Sequence, residues 1–243
     1  MSNPTAMIFG ATGAVGKEVL KDLLTTGKYS KVVSVGRRTV ELDSAIPQDK
    51  LEQKVVDFDN LEADKSIFKG VSDVFCCLGT TRAAAGSAEN FVKIDQTYVL
   101  NSAKLIAEEN KPSDDALAPV HFLYCSSTGA NKDSMFLYIK TKGQTEEALK
   151  ETGFEKVSIF QPGLLEIVDP RPTTRWGERF ALAIVPPLNR MFNLHSSVPV
   201  TTVAKAMHHV AENKDIKAKS SSQSVIGSLV SVFSTAEIED IGK

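Results

Sequence analysis

Little in this 243-residue chain points to chemistry done by a metal or by a charged surface. Cysteine is scarce: Cys76, Cys77 and Cys125 are the three present, and all fall in apolar runs that read as buried strands. That placement suits small core side chains rather than a disulfide framework, so a reducing, cytoplasmic setting is expected. Cys76 and Cys77 are vicinal, and His121, His195, His208 and His209 show no ligand spacing with them or with one another, so no metal site is expected. Charge of one sign is lacking too. With 28 basic against 30 acidic side chains and a net charge of -2, there is no electrostatic footprint for nucleic acid. Long hydrophobic runs are missing: residues 180–188 are too few to cross a bilayer and include Pro186 and Pro187. Met1 to Thr5 has neither the apolar core of a secretory signal nor the arginines of a transit peptide, so no presequence is expected. Peripheral attachment to a membrane stays compatible with this composition.

What the chain has in quantity is strand and helix in alternation. Ala6-Met7-Ile8-Phe9 reads as a short apolar strand, followed by Gly10-Ala11-Thr12-Gly13-Ala14-Val15-Gly16 and by the amphipathic run Lys17 to Leu24. Strand, glycine turn and helix in this order make a phosphate site. The glycines turn the chain tightly and bring bare N–H groups to a pyrophosphate, and the helix N-terminus adds partial positive charge. Gly10, Thr12, Gly13, Ala14, Val15 and Gly16 are therefore candidate cofactor contacts, with a Cβ at the glycines expected to occupy the ligand's place. Lys31 to Val35 forms a second strand ending at Gly36-Arg37-Arg38. At this strand end, about 20 residues past the glycines, a carboxylate suits the 2′-hydroxyl of NAD and an arginine the 2′-phosphate of NADP. Arg37 and Arg38, with no carboxylate beside them, favour NADP.

Leu51 to Val56 predicts a third strand delivering Asp57-Phe58-Asp59. Asp57 and Phe58 are placed to flank an adenine, while Asp59 either joins them or caps the next short helix. Asp73 to Leu78 is a fourth strand whose unbroken apolar run suits a central position covered on both faces. Leu78, Gly79 and Thr80 follow where the pyrophosphate and ribose pass. From Ala88 to Asn110, Phe91, Ile94, Tyr98, Val99, Leu105 and Ile106 recur at helical spacing. Val120 to Cys125 is a fifth strand tipped by Ser126-Ser127, with His121 inside it read as structural. A helix from about Ser134 to Glu151 carries Tyr138 and Lys142, and a sixth strand, Lys156 to Phe160, ends at Gln161-Pro162-Gly163. This alternation behind one glycine fingerprint predicts an α/β fold, a doubly wound parallel sheet of the Rossmann type, in a single domain over residues 1–243.

Between Gly163 and Thr201 the rhythm fails. Pro170, Pro172, Pro186, Pro187 and Pro199 cut the stretch, and Trp176, Phe180, Met191 and Phe192 give it apolar bulk. Residues 164–200 are expected to form a small lobe covering a substrate, which Met135, Leu164, Trp176 and Phe192 would enclose. Thr202 to Asn213 predicts a helix, Lys217 to Ser224 a flexible surface loop, and Ser234-Thr235-Ala236-Glu237 a capping box opening a last short helix.

Tyr138 and Lys142 stand four apart on one helical face. A free phenol has a pKa near 10, and an adjacent ammonium favours its phenolate, moving it toward the range of a neutral-pH acid–base catalyst. The same lysine can reach the ribose hydroxyls of a dinucleotide, and Ser126 or Ser127 can donate to a substrate carbonyl. These groups suit hydride transfer between NADPH and the carbonyl or alcohol of a small apolar substrate.

The chain resembles the short-chain dehydrogenase/reductase superfamily, and within it an atypical branch that includes the Tat-interactive tumour-suppressor oxidoreductase and fungal mitochondrial proteins. The stretches that carry the resemblance are Gly10 to Gly16, Phe75 to Arg82, Ser126-Ser127 with Gly129-Ala130, Phe136 to Gly143, Pro162-Gly163, His195 to Val200 and Ile241-Gly242-Lys243. It implies an NADP-dependent oxidoreductase with Ser127, Tyr138 and Lys142 in the serine, tyrosine and lysine roles, and cofactor contacts from Lys142, Pro162 and Gly163 as well. It also implies partner proteins and a peripheral place on the mitochondrial outer membrane, or a cytosolic one, for a protein that holds NADPH with little turnover. Gln161 departs from the pattern, since relatives tend to carry arginine before Pro-Gly; so do the polar stretch from Lys111 to Ala118 and the serines near Ser220.

Overall fold

The computed structural model describes residues 4–113, 116–167, 197–213 and 215–243. Its strands are β1 (Thr5–Phe9), β2 (Lys31–Gly36), β3 (Leu51–Val55), β4 (Asp73–Cys76), β5 (Ala118–Cys125), β6 (Phe154–Gln161), β7 (Leu164–Glu166), β8 (Ser197–Pro199), β9 (Ser220–Gln223) and β10 (Leu229–Ser234). Eight form one sheet in the order β3-β2-β1-β4-β5-β6-β10-β9, and all neighbours are parallel except β10 and β9. The helices are α1 (Ala14–Thr25), α2 (Arg82–Ala85), α3 (Ala88–Val92), α4 (Tyr98–Asn110), α5 (Leu137–Lys150), α6 (Val200–Glu212) and α7 (Thr235–Ile241). A π turn, Lys93–Thr97, joins α3 to α4.

Alternation along the strands explains why helices cover both faces. Met7, Phe9, Val33, Val35, Val74, Cys76 and Tyr124 enter one core, whereas Ala6, Ile8, Val32, Phe75, Leu123 and Cys125 enter the other. The apolar run of β4 therefore supplies two cores at once, as a central parallel strand must. In the second core, Val15, Val19, Leu20, Leu23 and Leu24 of α1 pack with Val203, Ala204 and Met207 of α6. Burying a side chain such as Leu20 contributes about 1.5 to 3 kcal/mol. All three cysteines are free thiols, and burial pushes Cys76 up to about 12 and Cys125 to about 11, as inert core groups require.

The predicted alternation is present, with boundaries shifted by a few residues. Two expectations for the C-terminal part change. Lys217 to Ser224 is not simply a loop: Ser220–Gln223 forms β9, an edge strand with exposed side chains that is held by its antiparallel pairing with β10. Serines there have little intrinsic strand preference, so pairing overrides propensity. The sheet also continues beyond the sixth strand through β10, whose Val230 and Phe233 reach the core. The capping box forms as read: the Glu237 carboxylate accepts the Ser234 N–H at 3.0 Å. His121 lies inside β5 with Nε2 2.8 Å from Ser158 Oγ, a structural contact.

The order 3-2-1-4 places the switch point of the sheet between β1 and β4. Ligands of such sheets bind in the crevice outside the carboxyl ends of the strands at that point. The Gly10 turn and the loop from Cys77 to Thr80 meet there, and the ends of β5 and β6 adjoin them.

Candidate functional site

The glycine turn is built by close backbone approach. Gly10 adopts φ +78, and a Cβ there would lie 2.4 Å from the Cys77 carbonyl oxygen; a Cβ on Gly16 would lie 2.3 Å from the Gly10 oxygen. These two glycines are required by the protein's own packing, in keeping with a tight turn and a close approach of helix to strand. Gly13 is different. Its Cβ would meet only Gly10 O, at 3.3 Å, and the residue caps α1 without a side chain to close off the first N–H groups. Thr12, Gly13 and Ala14 are exposed, while Val15 and Gly16 are buried. An exposed helix start whose leading N–H groups have no side-chain cap fits a phosphate.

Around this turn the other expected contacts divide. Arg37 and Arg38 are exposed at the end of β2. Asp57 is exposed, with Oδ1 accepting the Asp59 N–H at 2.9 Å. Phe58 is a correction: its ring is buried, stacked on Tyr98 at 5.1 Å and edge-on to Phe9 at 6.3 Å. A ring enclosed by core aromatics has no free face for an adenine. Asp59 does not cap the following short helix, whose N-cap is Asn60; its carboxylate pairs with Lys93 at 2.8 Å. Leu78 packs on the core, Gly79 is exposed, and Thr80 donates its N–H to Asp95 Oδ2 at 2.7 Å. Pro162 is buried after β6 with its carbonyl accepting the Thr128 N–H, and Gly163 beside it is half-buried.

Tyr138 and Lys142 lie on α5, and the tip of β5 brings the serines to them. Tyr138 is half-buried, its phenol lies within the influence of Ser127 and Lys142, and the Ser127 hydroxyl donates to the Thr128 carbonyl at 3.4 Å. Ser126 is engaged elsewhere: its hydroxyl donates to the Glu146 carboxylate. Burial pushes the Tyr138 phenol above its ordinary value, and Lys142 and Ser127 pull the other way without overcoming it. Lys142 thus acts with the expected sign, yet the lowering expected from the sequence is outweighed by desolvation.

The Lys142 ammonium is itself deeply set. Nζ is 3.1 Å from Asp95 Oδ1 and donates to Tyr124 Oη at 3.2 Å. Burial works against its charge, but Tyr124, Asp95 and Tyr138 hold it well above the ordinary lysine range. A Cβ on Gly79 would sit 3.5 Å from Nζ, so the ammonium, hydrogen-bonded to Tyr124 and ion-paired with Asp95, borders the loop after β4.

Asp95, Tyr124 and Glu146 are the polar residues that sequence reasoning missed. Asp95 is fully buried in the π turn, a distortion common at functional sites. Its signal was present. Phe91, Ile94, Asp95, Tyr98 and Val99 share the apolar stripe of the helix, and a lone carboxylate on a buried stripe needs a partner. Of the expected pocket, Met135 is exposed and Leu164 is half-buried in β7. Trp176, Phe180, Met191, Phe192 and His195, with most of the predicted lobe, lie outside the described residues. Its two described ends come together, since Leu164–Glu166 pairs in parallel with Ser197–Pro199.

Comparison with known proteins agrees with this geometry. An NAD(P)H-binding family model matches residues 10–214. Protein HTATIP2 of Rattus norvegicus is 39% identical over 85% of this chain and 81% of its own length. The mitochondrial protein fmp52 of Emericella nidulans is 35% identical over 73% of this chain and 74% of its own. Among solved structures, a short-chain dehydrogenase/reductase family oxidoreductase from Burkholderia thailandensis superposes with a TM-score of 0.63 at 15% identity, covering 98% of this chain and 93% of that one. A UDP-glucose 4-epimerase from Thermotoga maritima gives 0.60 at 16% identity, covering 85% and 72%. At such identities these two share the fold alone. Glycine turn, strand order and sequence relatives agree: the chain belongs to the NAD(P)H-binding family, in the branch that holds HTATIP2 and the fungal FMP52 proteins.

Proposed function

We propose that this protein is an NADP-dependent oxidoreductase of the short-chain dehydrogenase/reductase type, acting on a carbonyl or alcohol of a small, largely apolar substrate. The observation that carries the reading is that α5, which bears Tyr138 and Lys142, is joined to the Ser126-Ser127 tip of β5, with Lys142 Nζ bordering the loop after β4 at the crevice of the glycine turn. When bound, the nicotinamide supplies the hydride. The uncapped N-terminus of α1, with Thr12, Gly13, Ala14 and Val15, would hold the pyrophosphate, and Arg37 and Arg38 the 2′-phosphate. Gly79, Thr80, Pro162 and Gly163 would border the ribose and nicotinamide.

Ser127 would donate to the substrate carbonyl oxygen while Tyr138 delivers its proton to the same atom. A phenol held above its ordinary value carries the proton it would deliver. Lys142 then stabilises the phenolate left behind, and Asp95 and Tyr124 fix the ammonium that does so. The exposed apolar side chains of Met135 and Phe136, just before Tyr138, support an apolar substrate.

Exposure of Met135 and Phe136 also favours a second reading, in which NADPH is held as a ligand and this rim docks a protein or a membrane surface. The names of the fungal relatives direct that reading to mitochondria; no helix among the described residues is long and apolar enough to cross a membrane. Following NADPH oxidation across aldehydes, ketones and quinones separates the two. Turnover supports the oxidoreductase, and tight NADPH binding without oxidation of any member supports the ligand-holding reading.

A further inference from the structure

We propose that Glu146 is a positioning residue that sets Tyr138 against Ser127 by clamping the tips of β5 and β6 to helix α5. The inference rests on the reading of Ser127 and Tyr138 given above. Glu146 follows Lys142 by four residues and Tyr138 by eight, on the same face of α5. Its carboxylate is buried with three hydrogen bonds from two other elements. Ser126, at the tip of β5, donates its hydroxyl to Oε1, and the Gln161 side-chain amide at the end of β6 lies 3.0 Å from both Oε1 and Oε2. The Ser126 N–H in turn donates to the Phe160 carbonyl at 2.8 Å, and the Gln161 carbonyl accepts from Thr235 of α7 at 3.1 Å. The helix that carries Tyr138 and the strand tip that carries Ser127 are therefore joined through one carboxylate.

This arrangement gives the adjacent serines different tasks. Ser126 is committed to Glu146, which leaves Ser127, next in the chain, as the serine whose influence falls on the Tyr138 phenol. It also gives Gln161 a role: a neutral amide meets both carboxylate oxygens without neutralising them. Without the clamp, α5 and the β5 tip are free to shift relative to each other, and the alignment of Ser127 with Tyr138 is what suffers.

The test follows the ionisation of Tyr138 directly, so it needs no substrate. The four tyrosines of the full chain are labelled at Cζ with carbon-13 and titrated by NMR, with and without NADPH, Tyr138→Phe identifying the resonance. Ser127→Ala should lower the Tyr138 ionisation constant about threefold to tenfold, the worth of one hydrogen bond to the phenolate. Ser126→Ala and Glu146→Ala should lower it in the same direction with NADPH affinity unchanged, and Ser126→Thr, which keeps the hydroxyl, should restore it. Should Glu146→Ala fail to fold, Ser126→Ala alone carries the test. If Ser127→Ala moves Tyr138 and Ser126→Ala does not, the clamp is refuted while the proposed Ser127–Tyr138 pair stands. If Ser127→Ala has no effect, the pair itself is refuted, and the clamp with it.

Discussion

Replacing Asp95 with asparagine removes the charge opposite Lys142 while keeping the shape of the side chain. Both side chains are almost wholly enclosed, at 5% exposure for Lys142 and 0% for Asp95. At 3.1 Å and an effective dielectric of about 20, their attraction is about 5 kcal/mol. The Tyr124 hydroxyl still accepts from Nζ in the variant, and the asparagine oxygen can still accept the Thr80 N–H. What is lost is the compensation for a buried ammonium, so a destabilisation of about 3 to 5 kcal/mol is expected. Urea unfolding at pH 7, with an unchanged dependence on denaturant, measures it. Lys21→Ala provides the contrast, since its pair with Glu18 is partly exposed and should contribute less than about 1 kcal/mol. A loss below about 1 kcal/mol for Asp95→Asn would mean that the ammonium does not depend on this carboxylate, and the support assigned to Lys142 would be wrong.

Cofactor choice and pH dependence offer further checks. Changing Arg37 and Arg38 to alanine should weaken NADPH by about 1.5 to 3 kcal/mol, the range of charge-assisted hydrogen bonds, and leave NADH nearly unchanged; fluorescence titration with both cofactors measures this, and equal wild-type affinities would refute the assignment. His208 is buried between Asp22, 2.7 Å from Nδ1, and Glu212, 3.1 Å from Nε2. Burial opposes its charge, but the two carboxylates raise it above 6.5. A raised folded-state pKa gives stability that is full below 6.5 and lost as pH rises through the folded value. The stability advantage of wild type over His208→Gln should therefore shrink between pH 6 and pH 9 in urea melts; an advantage that grows over that interval contradicts the placement of the proton.

The fold was legible in the sequence wherever local pattern and tertiary environment agree. β1, the Gly10 turn and α1 could be read because a strand buried on both faces, a turn and an amphipathic helix each leave their own period. β9 could not, because three serines and a glutamine carry no strand signal until β10 pairs with them. The candidate site divides in the same way. Tyr138 and Lys142 follow from helical spacing, and the serine pair from its position at a strand tip. Phe58 was misread because an aromatic residue after a strand looks alike whether it faces a ligand or the core, and Phe9 and Tyr98 decide which. The net shift of Tyr138 depends on how deeply its hydroxyl is enclosed, which no spacing encodes. Asp95 stood on an apolar stripe and Glu146 on the face of α5 that bears Tyr138 and Lys142, but their partners, Lys142 for the first and Ser126 and Gln161 for the second, come from other elements and are known only once the chain is folded.

The most direct test compares Tyr138→Phe with wild type on any carbonyl compound that supports NADPH oxidation, measuring kcat and the NADPH dissociation constant on the same preparations. With Tyr138 as the proton donor, kcat should fall about 10²-fold or more while NADPH binds as before. Unchanged kcat with unchanged NADPH binding would contradict the central claim.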